Sequence, residues 1–267
     1  MKTRQEFFRH YLPYAPVAHA LWRCYECERF AGEKLAHPVL DVGCGDGFFA
    51  QAVFGDTLEA GIDLDPSEVK KAVRRGAYGK VFQGDVTHMD LAKAGFRTVI
   101  SNCAVEHIPD IDAALSEISR VLKPGGRLII TVPSEYFNGD SFFQKIFRGF
   151  GFNRAAQWYN RALNSVLKHH HVDDHRVWAA RFEKAGLSME RFEYIVPRKV
   201  FYAYERWLLP AIPSKIFKVL FGRWIFWPRV LTPPFALWWF KDLLKEEDDK
   251  GVGYFFVARK KKGAGRS

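Results

Sequence analysis

A glycine-rich turn and two carboxylates are the residues of this chain whose types and spacing could bind a nucleoside. The turn is "DVGCGDG", in which Gly43, Gly45 and Gly47 would let a ligand approach the main chain closely. Asp63 and Asp85 end the next two apolar runs. A carboxylate at the first position can accept hydrogen bonds from both ribose hydroxyls, and one at the second can accept the adenine amino group. The pattern therefore predicts an adenosine site.

The turn itself excludes the commonest adenosine cofactors. A pyrophosphate-binding turn has a third glycine at the position where this chain has Phe48. The sequence also lacks the Gly-Lys-Ser or Gly-Lys-Thr that would bind a nucleoside triphosphate. An adenosine cofactor without a pyrophosphate is therefore favoured over NAD, FAD or ATP.

Apolar runs and helical patterns alternate along the chain, and they must position these residues. The predicted strands lie in "VLDV", "LEAGIDLD", "KVFQGDV", "RTVISNCA" and "RLIITVPS", with helices such as "PSEVKKAVRRG" between them. Such alternation indicates a parallel sheet with helices on both faces and a ligand at the carboxyl ends of the strands. A helix with Asp173 as its N-cap and two strands, "SMERFEYIVP" and "GVGYFFVARKK", are predicted to follow.

Taken as a set, "VLDVGCGDG", "GIDLD", "QGDV", "VISNCAVEHI" and "LKPGGRLIITVP" resemble the motifs of class I S-adenosylmethionine-dependent methyltransferases, over residues 37–135. The resemblance implies an α/β fold with a doubly wound, seven-stranded, mostly parallel sheet whose last strand runs antiparallel. It also implies S-adenosylmethionine as the cofactor. The motifs then assign the methionine part to Asp41, Gly43 and Gly45, the ribose to Asp63, the adenine to Asp85 and the Val86 backbone, and the region of the sulfonium to Asn102.

Methyl transfer is an in-line displacement that requires alignment, and it needs a base only if the acceptor loses a proton. The chain reads Asn-Cys-Ala-Val from Asn102, not the Asn/Asp-Pro-Pro-aromatic motif of many amino-group methyltransferases, so oxygen and carbon acceptors stay open. Candidate bases are His107, His169, His170 and His171. Each has a structural alternative, as a histidine that orders its loop or as part of a solvated cluster. The histidine cluster leaves metal binding open, but no fixed ligand spacing supports it, and no metal site is predicted.

Composition divides the chain into a helical segment 1–36, a core 37–195, an insertion 196–248, a last core strand 249–260 and a basic tail 261–267. The insertion contains "WIFWPRVLTPPFALWWF", whose uncharged run is too short to cross a membrane. Lys and Arg mixed with Trp, Phe and Leu are typical of short helices that lie in a bilayer interface. The alternatives are an extra packed layer, a lid or a dimer contact, and RNA binding is the least favoured.

Charge and cysteine content set broader limits. A net charge of +10 suits anionic partners without choosing among them. Cys24 and Cys27 lie on a predicted amphipathic helix, so packing is favoured over a zinc or redox role. No clean signal peptide is seen, which predicts a cytoplasmic protein, with peripheral docking at a membrane as a finer expectation.

The predicted function is methyl transfer from S-adenosylmethionine to a hydrophobic or lipid-linked small molecule. One alternative is an O-methyltransferase of a soluble metabolite or saccharide, with the insertion as a lid. An alternative of another class is a membrane-docked protein that binds the cofactor without turnover. The sequence leaves the oligomeric state open.

Overall fold

A seven-stranded β-sheet is the central element of the computed structural model, which describes residues 2–208 and 232–262. Its strands are β1 (Val39–Val42), β2 (Leu58–Asp63), β3 (Tyr78–Gln83), β4 (Phe96–Asn102), β5 (Leu122–Pro133), β6 (Leu187–Ile195) and β7 (Gly253–Lys260). Their order across the sheet is β3-β2-β1-β4-β5-β7-β6. Strands β1 to β5 pair in parallel, and β7 pairs antiparallel with β5. The predicted fold class is confirmed.

The strand order locates the ligand edge of the sheet. From β1 the chain runs outward through β2 to β3, and then returns to β4 on the other side of β1. Right-handed crossovers in opposite directions place helices on both faces of the sheet. The connections diverge at the carboxyl ends of β1 and β4, and this point is where open α/β sheets bind ligands.

Helices occupy much of the remaining described chain. They are α1 (Arg4–Tyr11), α2 (Val17–Ala31), α3 (Phe48–Phe54), α4 (Pro66–Arg75), α5 (Ile111–Val121), α6 (Tyr136–Gly139), α7 (Phe142–Gly149), α8 (Asn153–Leu167), α9 (His175–Lys184), α10 (198–208) and α11 (Thr232–Phe240). Helix α4 begins at Pro66 and ends before Gly76, as predicted. The predicted N-cap of α9 is wrong by one residue, because the carboxylate of Asp174 accepts the N–H bonds of Arg176 and Val177. Asp173 instead pairs with Arg181 at 2.7 Å.

The chain divides into two compact units. The sheet unit contains Glu33–Glu135, Lys168–Glu193 and the described part of Gly253–Ser267; the helical unit contains the described parts of Met1–Gly32, Tyr136–Leu167 and Tyr194–Val252. Composition places residues 136–167 within the predicted core segment, 37–195. The structure groups them with the N-terminal helices and the insertion, since the ring of Phe137 packs on those of Trp22 and Phe201 at 6.0 and 4.8 Å.

Each unit has its own buried aromatic cluster. In the sheet unit, Trp178 and Phe182 of α9 pack on Phe256 of β7. In the helical unit, Trp22 contacts Tyr204 of α10. Cys24 and Cys27 are fully buried in α2, which confirms that this pair packs in a core.

The insertion is described only at its two ends, α10 and α11. Residues 209–231, which include Lys215, Lys218, Arg223, Arg229 and the first part of the predicted interfacial stretch, lie outside the described residues. The prolines of α11 occupy its first turn, where a missing N–H costs no hydrogen bond. Among the described helices, none has the length and hydropathy of a membrane span.

Candidate active site

The glycine turn after β1 lies against the ends of β2 and β4. The N–H of Gly43 donates to the carbonyl oxygen of Ile62 at 2.9 Å. A Cβ at Gly43 would lie 2.3 Å from the Cβ of Ala104, so no larger residue fits there. A Cβ at Gly45 would meet no atom within 4 Å, although its φ of +52° still favours glycine. The turn is thus tightly packed at Gly43, whereas the space next to Gly45 is open.

Asp63 ends β2 with its carboxylate facing this turn. Its Oδ2 accepts the N–H of Gly45 at 2.7 Å, and its Oδ1 accepts the N–H of Asp65 at 2.9 Å. A carboxylate oxygen can accept more than one hydrogen bond, so this orientation leaves capacity for two ribose hydroxyls. Asp63 thus lies next to the open glycine, and its predicted contact with the ribose stays a prediction.

Asp85 follows β3 and is exposed. Its Oδ1 accepts bonds from both the N–H and the hydroxyl of Thr87, each at 2.8 Å, and these bonds hold the pKa of Asp85 below its usual value. The next residue, Val86, is buried.

Sequence reasoning missed Leu64, which follows Asp63 and is 68% exposed. A large apolar side chain next to the predicted ribose ligand offers a surface for a flat ring. Its position directly after the acid that ends the strand was the available signal in the sequence.

Asp41 is held differently from the other acids. It is buried, and the hydroxyl of Tyr78 donates to its Oδ2 at 2.6 Å. Burial raises the pKa of Asp41 to about 7, even though the Tyr78 bond lowers it. The structure thus gives Asp41 a partner on β3, and its predicted contact with the methionine part of the cofactor stays a prediction.

Asn102 ends β4 and is buried. Its Oδ1 accepts the hydroxyl of Thr131 at 2.7 Å, which fixes the amide against β5. The next residue, Cys103, has a φ of +46°, a conformation that costs a residue other than glycine about 1–3 kcal/mol. Backbone strain of this kind is concentrated at functional sites. The predicted role of Asn102 near the sulfonium stays a prediction.

Two of the four predicted histidines meet beside the next turn. The rings of His107 and His169 stack at a centroid distance of 5.3 Å and an interplanar angle of 26°. Glu106 lies beside them, 1% exposed, with its Oε1 3.7 Å from the Nε2 of His107. We name Glu106, His107 and His169 the Glu-His-His cluster. Sequence reasoning missed Glu106, although it stands in the same "VEHI" motif as His107.

The other two histidines are not part of this cluster. The Nε2 of His171 lies 3.0 Å from the carbonyl oxygen of Ile108, and His170 is exposed. Within the cluster, burial and, to a smaller extent, the neighbouring His107 together lower the pKa of His169 to about 4. The imidazole of His169 is therefore neutral at physiological pH and a weak proton acceptor.

Part of the sheet unit is similar to known proteins. Residues 40–130 match the family model described as a methyltransferase domain. Residues 40–130 of the sheet unit therefore form a methyltransferase domain of the class I S-adenosylmethionine-dependent superfamily. This methyltransferase domain is 36% identical over 95 residues to an uncharacterized methyltransferase of Mycobacterium tuberculosis, covering 34% of this chain and 48% of the relative. It is 34% identical over 119 residues to the malonyl-[acyl-carrier protein] O-methyltransferase of Erwinia pyrifoliae, covering 41% and 45%.

A solved structure shares the fold over nearly the whole chain. A methyltransferase of Thermotoga maritima, described as a possible histamine N-methyltransferase, aligns with a TM-score of 0.57 over 92% of each chain at 16% identity. Similarity at this level of identity shows the fold alone. The matched part of the methyltransferase domain spans about half the length of the curated relatives named above, 48% and 45%.

Proposed function

We propose that the chain transfers a methyl group from S-adenosylmethionine to an acceptor. The observation that carries this proposal is the carboxylate of Asp63, which is aimed by Gly45 at the open side of the glycine turn. Asp63 would hold the ribose, Asp85 the adenine amine and Leu64 the adenine ring. When bound, the cofactor supplies an activated methyl group on a sulfonium. The chain contributes binding, alignment and exclusion of water.

Removing the carboxylate of Asp63 tests this proposal. Charge-assisted bonds to two hydroxyls contribute on the order of 2–4 kcal/mol, so we expect Asp63→Ala to weaken S-adenosylhomocysteine binding by about 30- to 1000-fold. Isothermal titration calorimetry measures this loss. Asp56→Ala is the matched control, because Asp56 is an exposed acid just before β2, at its opposite end. Equal affinities for the wild type and Asp63→Ala would contradict the assignment.

We infer a hydrophobic acceptor, and the exposed aromatic side chains of the helical unit support this inference. The helical unit exposes rings that a compact protein would normally bury, including Trp158 at 65% and Trp238 at 63%. One curated relative is named for O-methylation of a malonyl group on acyl-carrier protein, which supports an oxygen acceptor on an acyl chain. Mass spectrometry of extract components that gain a labelled methyl group would identify the acceptor. No labelled product with the intact protein would favour the cofactor-binding scaffold instead.

We also infer docking to an anionic bilayer, with α7, α8 and their connection as the first supporting surface. Phe150 and Phe152, in the connection between the helices, are 75% and 62% exposed. Arg154, Trp158 and Arg161 are exposed on α8 at positions that share one helix face. The sequence from 141 to 167 contains no acidic residue. We name these five residues the α7–α8 surface, and its rings and guanidiniums match an anionic lipid interface.

Helix α11 supplies the second supporting surface. Phe235, Trp238 and Trp239 are 57%, 63% and 57% exposed, whereas Phe240 is buried against the ring of Phe8 at 5.9 Å. Helix α11 is therefore anchored on one side and aromatic on the other. Sedimentation of the intact chain with anionic vesicles tests the docking. A protein that stays in the supernatant at low salt would favour the alternative in which the insertion is a lid or a packed layer.

A further inference from the structure

We propose that the Glu-His-His cluster binds a divalent transition-metal ion, with an open coordination position that accepts an oxygen atom of the substrate. Each of Glu106, His107 and His169 offers one ligand atom, and these atoms all lie within 4.8 Å of one another. Two imidazoles and one carboxylate are the ligand set of catalytic zinc sites and of non-haem iron(II) sites. All three residues belong to the sheet unit, at the edge where β4 ends.

The distances suit such an ion. Zinc bonds to nitrogen and oxygen are about 2.0–2.2 Å long, which puts neighbouring tetrahedral ligand atoms about 3.3–3.6 Å apart. The Nε2 of His107 and the Oε1 of Glu106 are separated by 3.7 Å. The other ligand-atom distances are at most 4.8 Å, so they would have to shorten by at most about 1 Å to suit zinc.

A hydrogen bond fixes the ligand atom of His107. Its Nδ1 lies 3.0 Å from the carbonyl oxygen of Lys168, and only a protonated Nδ1 can donate to a carbonyl. The Nε2 atom then carries the lone pair, and Nε2 is the atom that faces Glu106. Metal-binding histidines typically use their second nitrogen in this way, because the bond orients the ring and fixes its tautomer.

Main-chain bonds join the two segments that carry the cluster. The carbonyl oxygen of Glu106 accepts the N–H groups of His170 and His171 at 3.0 and 3.3 Å. The ring of His171 adds its contact with the carbonyl of Ile108. The segment that begins at Lys168 is thus fixed to the turn that carries Glu106 and His107. A site held by such a frame is formed before the ion arrives.

The donor set also limits the kind of ion. Magnesium and calcium prefer oxygen ligands, and two imidazoles make the cluster a poor site for either. Three protein ligands leave a fourth position of a tetrahedral ion for a water molecule or a substrate oxygen. A hydroxyl bound there would lose its proton more readily. This last role rests on the proposed function: the hydroxyl proton goes to solvent, the O–CH3 bond forms as the S–CH3 bond breaks, and the electron pair stays on sulfur.

Titration of zinc into the full chain, expressed without a histidine tag and stripped with a chelator, tests the proposal. A chromogenic zinc indicator competes for the ion. We expect one site in the wild type and at least about 10-fold weaker binding in His107→Gln, His169→Gln and Glu106→Gln. His170→Gln is the matched control, because His170 is an exposed neighbour in the same histidine run. Equal zinc affinity in all variants would overturn the site, as would an equal loss in His170→Gln.

Two further measurements separate this proposal from the others. Thermal unfolding with zinc should show a raised midpoint for the wild type and not for His169→Gln, because only a ligand that binds the folded state stabilises it. S-adenosylhomocysteine affinity should stay unchanged in His107→Gln and His169→Gln, which also shows that both variants are folded. Zinc binding without any methyl transfer would support the metal site and contradict the proposed function. Methyl transfer with no zinc-dependent stabilisation of the wild type would overturn the metal site alone.

Discussion

Asp41 shows how one buried side chain links the ligand edge of the sheet to stability. It lies on β1, accepts the Tyr78 hydroxyl, and has its pKa raised by burial to about 7. An unfolded aspartate has a pKa of about 3.9. Between these two values the folded state binds more protons than the unfolded state, so the contribution of Asp41 to the free energy of unfolding falls as pH rises.

We expect Asp41→Asn to remove this pH dependence. Relative to the variant, the free energy of unfolding of the wild type should fall by at most about 4 kcal/mol between pH 4 and pH 7. Urea unfolding at several pH values, followed by tryptophan fluorescence, measures the difference between the two curves. Tyr78→Phe is the control, since loss of the hydroxyl should raise the pKa of Asp41 and extend the window to higher pH. Parallel curves for the wild type and Asp41→Asn would contradict the assignment.

Single residues differed in how far the sequence could predict them. Asp63 and Asp85 were identified because each stands directly after a strand, and their surroundings are formed by close neighbours such as Asp65 and Thr87. Glu106 and Tyr78 were missed because the contacts that bring them next to His169 and Asp41 join segments that are distant in sequence. The bond between His107 and Lys168 joins residues 61 positions apart, and the bond between Tyr78 and Asp41 joins residues 37 apart. A local sequence pattern cannot reveal contacts between residues this far apart in the chain.

Among the helices, Glu205 holds three segments of the helical unit together. Its Oε1 accepts the hydroxyls of Ser141 and Tyr159 at 2.6 and 2.9 Å, and its Oε2 accepts the N–H of Phe142 at 2.6 Å. Ser141 is itself the N-cap of α7, where its hydroxyl accepts the N–H of Gln144. The carboxylate is 1% exposed, and burial raises its pKa. Glu205 of α10 therefore fixes the start of α7 and the middle of α8.

We expect Glu205→Ala to lower the free energy of unfolding by about 2–4 kcal/mol, because it leaves one buried and two part-buried donors without their acceptor. Glu205→Gln keeps one acceptor oxygen and should cost about half as much. Asp242→Ala is the control, since Asp242 is exposed and makes no cap bond, so its effect should stay within about 0.5 kcal/mol. Denaturant unfolding provides all three values. If Glu205→Ala unfolds at the same midpoint as Asp242→Ala, the network does not stabilise the unit.

The sequence predicted an element well where its apolar residues follow a clear strand or helix pattern. Strand β1 is a short apolar run closed by Gly43, β2 ends at Asp63, and Gly76 ends α4 with a φ of +71°. Helices α7 and α8 were not predicted, because their exposed faces carry Phe, Trp and Ile beside Arg, which blurs the contrast between the two sides of a helix. The same mixture of residues is the basis of the bilayer docking proposed for the α7–α8 surface.

For the whole molecule, the net charge of +10 adds a long-range attraction to the local aromatic surfaces. Each Lys or Arg near an anionic membrane contributes about 1 kcal/mol, and this attraction is screened within a Debye length of about 8 Å at physiological ionic strength. Ring insertion is much less sensitive to salt. Vesicle binding should therefore rise with the fraction of anionic lipid and weaken as salt is added.

We expect Phe150→Ser with Phe152→Ser to weaken vesicle binding by about 10-fold or more, and Trp238→Ser with Trp239→Ser to do the same, because each pair removes two exposed rings that would enter the bilayer. Val73→Ser is the control, an equally exposed apolar residue on α4 at 61% exposure. S-adenosylhomocysteine affinity should not change in any of these variants. If vesicle binding falls with Val73→Ser as much as with the paired variants, the surfaces are not specific docking sites.

The position of β7 has a consequence for how the protein is made. This strand lies between β5 and β6 in the sheet, yet it follows both in the chain. During synthesis, β1 to β5 can pair as they leave the ribosome, whereas β6 emerges with no neighbour to join. The outer edge of β5 stays unpaired over that interval, and an open edge of this kind invites wrong pairing with other chains. Residues 253–260 must therefore be translated before the nascent sheet is safe from aggregation.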